Sequence, residues 1–145
     1  MGHFNKFFAH MSYNFQKLYS ETSFLLCYFK FSTEKHITCF SLVVTLRPFY
    51  VSKKLDGKRC NGAPDFIIKI VSPGNPADDY IRKLYYYKNA GVREYWIFDP
   101  RRRTITVNFF EQNILNIQYS FDATIKVNIY DDLYIDFSEI DAMLN

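Results

Sequence analysis

The chain has 145 residues, of which 48% are hydrophobic, 19% aromatic and 23% charged, and its formal net charge of +3 permits contact with a polyanion without arguing for one. That length suits a single domain with a real core, while Cys27, Cys39 and Cys60 make no close-spaced pair and His3, His10 and His36 lack metal-ligand spacing, which excludes a zinc cage or disulfide framework. The longest apolar run near the start, Phe24 to Phe29, is too short for a membrane span, so a reduced, soluble, cytoplasmic protein with no membrane partner is expected.

Phe4, Phe7, Phe8, Met11, Phe15 and Leu18 fall close to i, i+3, i+4, i+7 spacing and predict an amphipathic helix. Residues 22–31 and 37–47 predict strands from their β-branched and aromatic content. Residues 1–55 hold two acids against seven Lys or Arg, whereas 56–145 hold thirteen acids against eleven bases. No glycine occurs between Gly2 and Gly57, although turns normally need Gly, Asn, Asp or Pro. The break near residue 50 marks either a diverged N-terminal half or a segment whose reading frame was altered in the gene. It divides the chain into an atypical segment, 1–50, and a core, 51–145.

From residue 65 the pattern is clear. Asp65 to Val71 predicts a strand covered on both faces, and Ser72-Pro73-Gly74-Asn75-Pro76 a turn. A helix is predicted over 77–90, with Asp78 and Asp79 in its first turn and Gly91 just past its end. Glu94 to Phe98 predicts a second strand, and Asp99-Pro100-Arg101-Arg102 a turn into a third over 104–110. Residues 114–120 and 124–129 predict further strands, and a short helix begins near Ser138. Strand, helix and strand within 35 residues form a βαβ unit, so part of the sheet is expected to be parallel.

One charged residue, Lys69, interrupts the apolar strand, and a buried charge costs several kcal/mol unless it is paired. Asp65 lies on the same face, but at ~3.4 Å per residue the two positions are roughly 13 Å apart, too far to share one cation. On the helix, Asp79, Lys83 and Tyr87 recur at i, i+4 and i+8; spacing alone favours an exposed Asp79–Lys83 pair over a Lys83 that reaches a reacting phosphate. Arg101, Arg102 and Arg103, and likewise Lys53 and Lys54, are candidate contacts to a DNA backbone, although a solvated hairpin turn is the favoured account of the arginines. Tyr85, Tyr86 and Tyr87 with Trp96 offer rings for base stacking, but Trp96 suits a buried strand, and the three tyrosines are expected to pack on the sheet with their hydroxyls at its rim.

Pro64-Asp65, the strand after it, Ser72-Pro73, Lys83 with Tyr87, and Gly91-Val92-Arg93-Glu94-Tyr95-Trp96-Ile97-Phe98-Asp99-Pro100 together resemble the Uma-two family of restriction-endonuclease-like proteins, related to the PD-(D/E)XK nucleases. The resemblance runs more loosely from about Leu55 to the C-terminus and has no counterpart before residue 50. It implies an α/β fold, a restriction-endonuclease-like mixed β-sheet flanked by helices, with 51–145 as its nuclease-like core. It also implies Mg²⁺-dependent hydrolysis of DNA phosphodiester bonds. In such a site an aspartate from an earlier Pro-Asp and a glutamate in the strand hold the metal, and a helix lysine stands beside them.

On this resemblance Lys83 matches the helix lysine, Asp65 belongs to the second Pro-Asp and supports the start of the strand, and Lys69 occupies the position of the glutamate. The earlier Pro-Asp is missing, since Pro48 is followed by Phe49. Two unit charges ~4 Å apart interact by about 4 kcal/mol at an effective dielectric near 20, and a divalent ion doubles that. A lysine at 69 turns the attraction into repulsion, so weak or absent Mg²⁺ binding and impaired hydrolysis are expected. The alternatives are a non-catalytic DNA-binding pseudo-nuclease and the non-functional product of a disrupted gene. DNA is the expected partner, and a homodimer fits an enzyme that cuts both strands.

Overall fold

The computed structural model describes residues 24–32, 38–46, 63–71, 76–138 and 141–142, the first two segments as backbone only. The helix expected around residues 4–18 lies outside them, as do Lys53 and Lys54. Eight strands are described: β1 (Phe24–Ser32), β2 (Thr38–Leu46), β3 (Phe66–Ile70), β4 (Glu94–Asp99), β5 (Thr104–Phe109), β6 (Ile114–Ser120), β7 (Thr124–Lys126) and β8 (Tyr134–Asp136). The first six form one sheet in chain order, and β7 pairs with β8 in a separate hairpin. Only β3 and β4 run parallel, joined by the helical segment between them; every other described pair is antiparallel. The sheet is therefore mixed, as expected from the βαβ unit. Because β2 pairs with β3, with Ser41 opposite Lys69, the composition break near residue 50 does not coincide with a break in the sheet.

Period-two alternation sends β3 and β4 side chains into two separate cores. Phe66, Ile68 and Ile70, with Trp96 and Phe98, face the C-terminal segment, whose Phe121, Ile125, Val127, Leu133, Ile135 and Phe137 cover them. The Phe98 ring stacks on Phe121 at 4.4 Å between centroids, and the Phe66 ring meets Trp96 edge-on at 5.2 Å. On the opposite face Ile67, Tyr95 and Ile97 lie under Tyr80, Leu84 and Tyr87 of the helical segment. Both faces of the central strands are thus dry, which is why β3 and β4 read as nearly unbroken apolar runs.

The helix departs from the regular one predicted over 77–90. Its first part, Asp78–Arg82, is a π-helical turn in which the Lys83 amide donates to the Asp78 carbonyl, and a regular helix α1 (Lys83–Ala90) follows. Strand β7 is shorter than the 124–129 expected, and β8 was not foreseen. Both are three residues long with one buried residue each, too brief for an alternating pattern to stand out. The turn after Phe137 does start a helical bend, with the Asp141 amide donating to the Phe137 carbonyl.

Gly91 ends α1 in the left-handed region at φ 90°, where a side chain would be strained although a Cβ would meet only Ala63 at an ordinary 3.7 Å. Gly91→Ala is expected to cost about 1–2 kcal/mol through backbone conformation alone. Urea unfolding should show a lower midpoint at unchanged slope.

Candidate functional site

Lys69 sits on the helix-facing side of β3 and is fully buried. Its Nζ donates to the carbonyl of Ile70 at 2.6 Å and lies 3.9 Å from Oδ1 of Asp79. Asp79 comes from the π-helical turn and is equally buried. The same oxygen accepts a 2.5 Å bond from Lys83 Nζ, which also stands 3.4 Å from Oδ2 of Asp78. Tyr95 on β4 donates its hydroxyl to the Asp79 carbonyl at 3.0 Å, fixing that turn over the sheet. A wider turn leaves a carbonyl free for such a bond, a common feature of π-bulges at functional positions.

The exposed Asp79–Lys83 pair favoured by spacing is therefore corrected: Asp79 has no exposure, and Lys83 retains only 23%. The stripe of Asp79, Lys83 and Tyr87 faces the sheet, with the Tyr87 ring edge-on to Tyr95 at 4.9 Å. Residues on the other side of the helix, Ile81, Tyr85 and Tyr86, are exposed instead, so the expectation that all three tyrosines pack on the sheet holds for Tyr87 alone. The polar residues sit inward because Lys69 needs a counter-ion there. Apolar periodicity alone points the wrong way.

Two ammonium groups thus converge on one carboxylate. At a separation near 4 Å and an effective dielectric of 20 such a pair attracts by about 4 kcal/mol, enough to offset much of the desolvation of a buried charge. A divalent ion placed here would meet Lys69 and compete with two ammonium groups for the same oxygen. The residues present do not fit Mg²⁺. Among the described residues no group of three His, Cys, Asp or Glu side chains is arranged to hold a metal.

Asp65 lies at the start of β3, away from the cluster. Its carbonyl accepts the amides of Arg93 and Glu94, and its carboxylate is 3.7 Å from the Arg93 guanidinium, which also bonds Glu111 at 2.5 Å. Arg101 and Arg102 are exposed in the turn between β4 and β5, their backbone amides donating to Oδ1 of buried Asp99. The Arg102 guanidinium stands 5.8 Å over the Tyr80 ring, and the Tyr80 hydroxyl donates to Asp99 at 3.1 Å. Burial, then the charge of Asp99, holds that hydroxyl above the usual phenol range, so it stays a neutral donor. Arg103 turns away, pairing with Asp141.

A second buried carboxylate, Glu94, carried no signal beyond its place in the Glu-Tyr-Trp motif. Its Oε1 accepts from the Trp96 indole at 2.6 Å and from the Asn128 amide at 2.8 Å, and its Oε2 from the Ile129 backbone amide at 3.0 Å. These bonds fasten the 128–129 turn to the sheet. Burial pushes the Glu94 carboxyl up, against the opposing pull of those donors.

Removing Asp79 takes from buried Lys69 the carboxylate that lies 3.9 Å away, so Asp79→Ala should cost roughly 3–5 kcal/mol. Lys83→Met, which leaves the Lys69–Asp79 contact in place, should cost about 1 kcal/mol; denaturant titration of the two separates these magnitudes. Because the folded-state pKa of Glu94 lies above its unfolded value, its contribution is full below the unfolded pKa and is lost as pH rises through the folded one. Wild-type stability relative to Glu94→Gln should therefore improve as pH falls from neutral toward the carboxylate range, which thermal melts across that interval measure.

Residues 42–134, more than half of the chain and beginning further upstream than the motifs indicate, match the profile of the Uma2 family, described as "Putative restriction endonuclease". A comparison with curated proteins finds no significant match. Among solved structures, a protein of Anabaena variabilis ATCC 29413, described as "a putative nuclease belonging to DUF820", is similar with a TM-score of 0.54 and 18% identity. The match covers 72% of this chain and 59% of that one, so the present chain spans less than two thirds of the neighbour's length. That likeness bears on the fold, and it agrees with the α/β class and mixed sheet seen here. No described helix is long and apolar enough to cross a membrane. With its Gly-Val, Glu-Tyr-Trp and Asp-Pro segment forming the second parallel strand of a mixed sheet, the chain belongs to the Uma2 family of restriction-endonuclease-like proteins.

Proposed function

We propose that this chain is a DNA-binding member of the family that keeps the frame of a Mg²⁺-dependent endonuclease and has an impaired hydrolytic site. One observation carries this reading: the ammonium of Lys69 lies fully buried 3.9 Å from the Asp79 oxygen that Lys83 also holds. A cation is built into the position where the family resemblance places a metal-holding glutamate. Lys83, the more exposed of the two lysines, keeps the place from which an ammonium meets a phosphate. Asp65 supports the strand start through its carbonyl. Arg101 and Arg102, in the exposed turn beside Tyr80, extend the positive surface toward a DNA backbone. The protein acts in the cytoplasm, and pairing of two copies would suit a duplex ligand.

Lys69, Lys83, Asp78 and Asp79 balance in charge, so affinity comes from the exposed arginines and lysines and should fall steeply with salt. Supercoiled plasmid incubated with Mg²⁺ or Mn²⁺ should remain uncut, while DNA binding measured by mobility shift should be indifferent to EDTA. Cleavage that requires either metal would overturn the proposal. Lys69→Glu distinguishes the two missing carboxylates: if cleavage stays absent, the lost upstream Pro-Asp is the larger defect.

A further inference from the structure

The outer side of the helical segment carries an unusual surface. Ile81, Tyr85 and Tyr86 are 70%, 67% and 57% exposed, although large apolar side chains are normally turned inward. The segment 81–90 contains Arg82, Lys83 and Lys88 and no acid. Arg82 has a largely exposed side chain; its guanidinium stands 5.8 Å over the Tyr86 ring and 3.7 Å from Asp78. Lys88 donates to the neutral Asn113 side chain at 2.9 Å. The Tyr85 and Tyr86 rings meet edge-on at 6.4 Å, and the Arg82 guanidinium lies over one face of Tyr86.

We propose that this helix surface binds single-stranded DNA, with Tyr85 and Tyr86 as stacking rings and Arg82 and Lys88 on the phosphates. The inference rests on the DNA-binding reading and specifies the form of DNA. Lys88, together with Arg82 whose charge Asp78 partly shares, complements a polyanion, and exposed aromatic rings offer surface on which bases stack. In a duplex those base faces are already covered by neighbouring bases, so the rings add affinity only where the strand is unpaired. Tyr86 lies three residues beyond Lys83 and so on a neighbouring part of the helix surface, which makes this surface continuous with the exposed edge of the lysine cluster.

The test is fluorescence anisotropy with a labelled single-stranded oligonucleotide and with its duplex, using the full chain. Wild type should bind the single strand more tightly. Tyr85→Ala/Tyr86→Ala should weaken that binding by about five-fold or more for each ring that stacks, and leave duplex binding unchanged. Tyr85→Phe/Tyr86→Phe should retain it, and Lys88→Ala should reduce the salt slope by about one. Ultraviolet crosslinking of the wild type, read by mass spectrometry, should place the adduct on Tyr85 or Tyr86; it needs no variant to fold. If the alanine variant binds the single strand as wild type does, or crosslinks fall only elsewhere, the inference fails while DNA binding stands. A wild type that binds neither DNA form overturns both. Loss of a dimer in the alanine variant, with single-strand affinity intact, would reassign the surface to self-association and likewise overturn it.

Discussion

The arrangement around Asp79 governs the rest of this site. A lysine in the middle of a strand covered on both faces can stay charged only if an anion is brought to it. The chain brings one from the neighbouring helical segment, and that requirement decides which side of the helix faces the sheet. The same carboxylate takes Lys83, and the Tyr95 hydroxyl holds its backbone. Charge, helix orientation and the π-helical turn form one connected solution. None of the three can be altered without disturbing the others.

The two faces of the sheet handle buried charge differently. On the helix side the carboxylate of Asp79 is met by cations, so its charge is cancelled by Coulombic pairing. On the other side Glu94 is met by neutral donors from Trp96, Asn128 and Ile129, and its charge is only solvated by dipoles. At Glu94 burial outweighs those donors and lifts its pKa. It also separates their tasks: one group organises the candidate site, the other ties the C-terminal cover to the sheet.

Much of the frame was legible in the residues. The apolar runs of β3 and β4 announce strands dry on both faces, and Gly91 marks the end of the helix between them. Lys69 stood out because a charge in such a run breaks the local rule. The partner of Lys69 was not legible, because i, i+4 spacing places Asp79 and Lys83 on one stripe without saying which way the stripe points. Tyr85 and Tyr86 compounded the error, since both were expected on the sheet and the fold leaves them outside. Glu94 was hidden for another reason: its donors come from residues 96, 128 and 129, and the last two are distant in sequence. Local pattern cannot register a partner that only tertiary folding supplies.

Lys69 donates to the carbonyl of the very next residue, Ile70, so its aliphatic stem curves along its own strand while its head group also stands beside Asp79. Such a curve needs the four freely rotating carbons of lysine and a compact head group. Arginine ends in a larger, rigid planar fork that suits such a point contact less well. The position therefore selects for suppleness as much as for positive charge, and an exchange usually ranked as conservative would be a poorer shape for it.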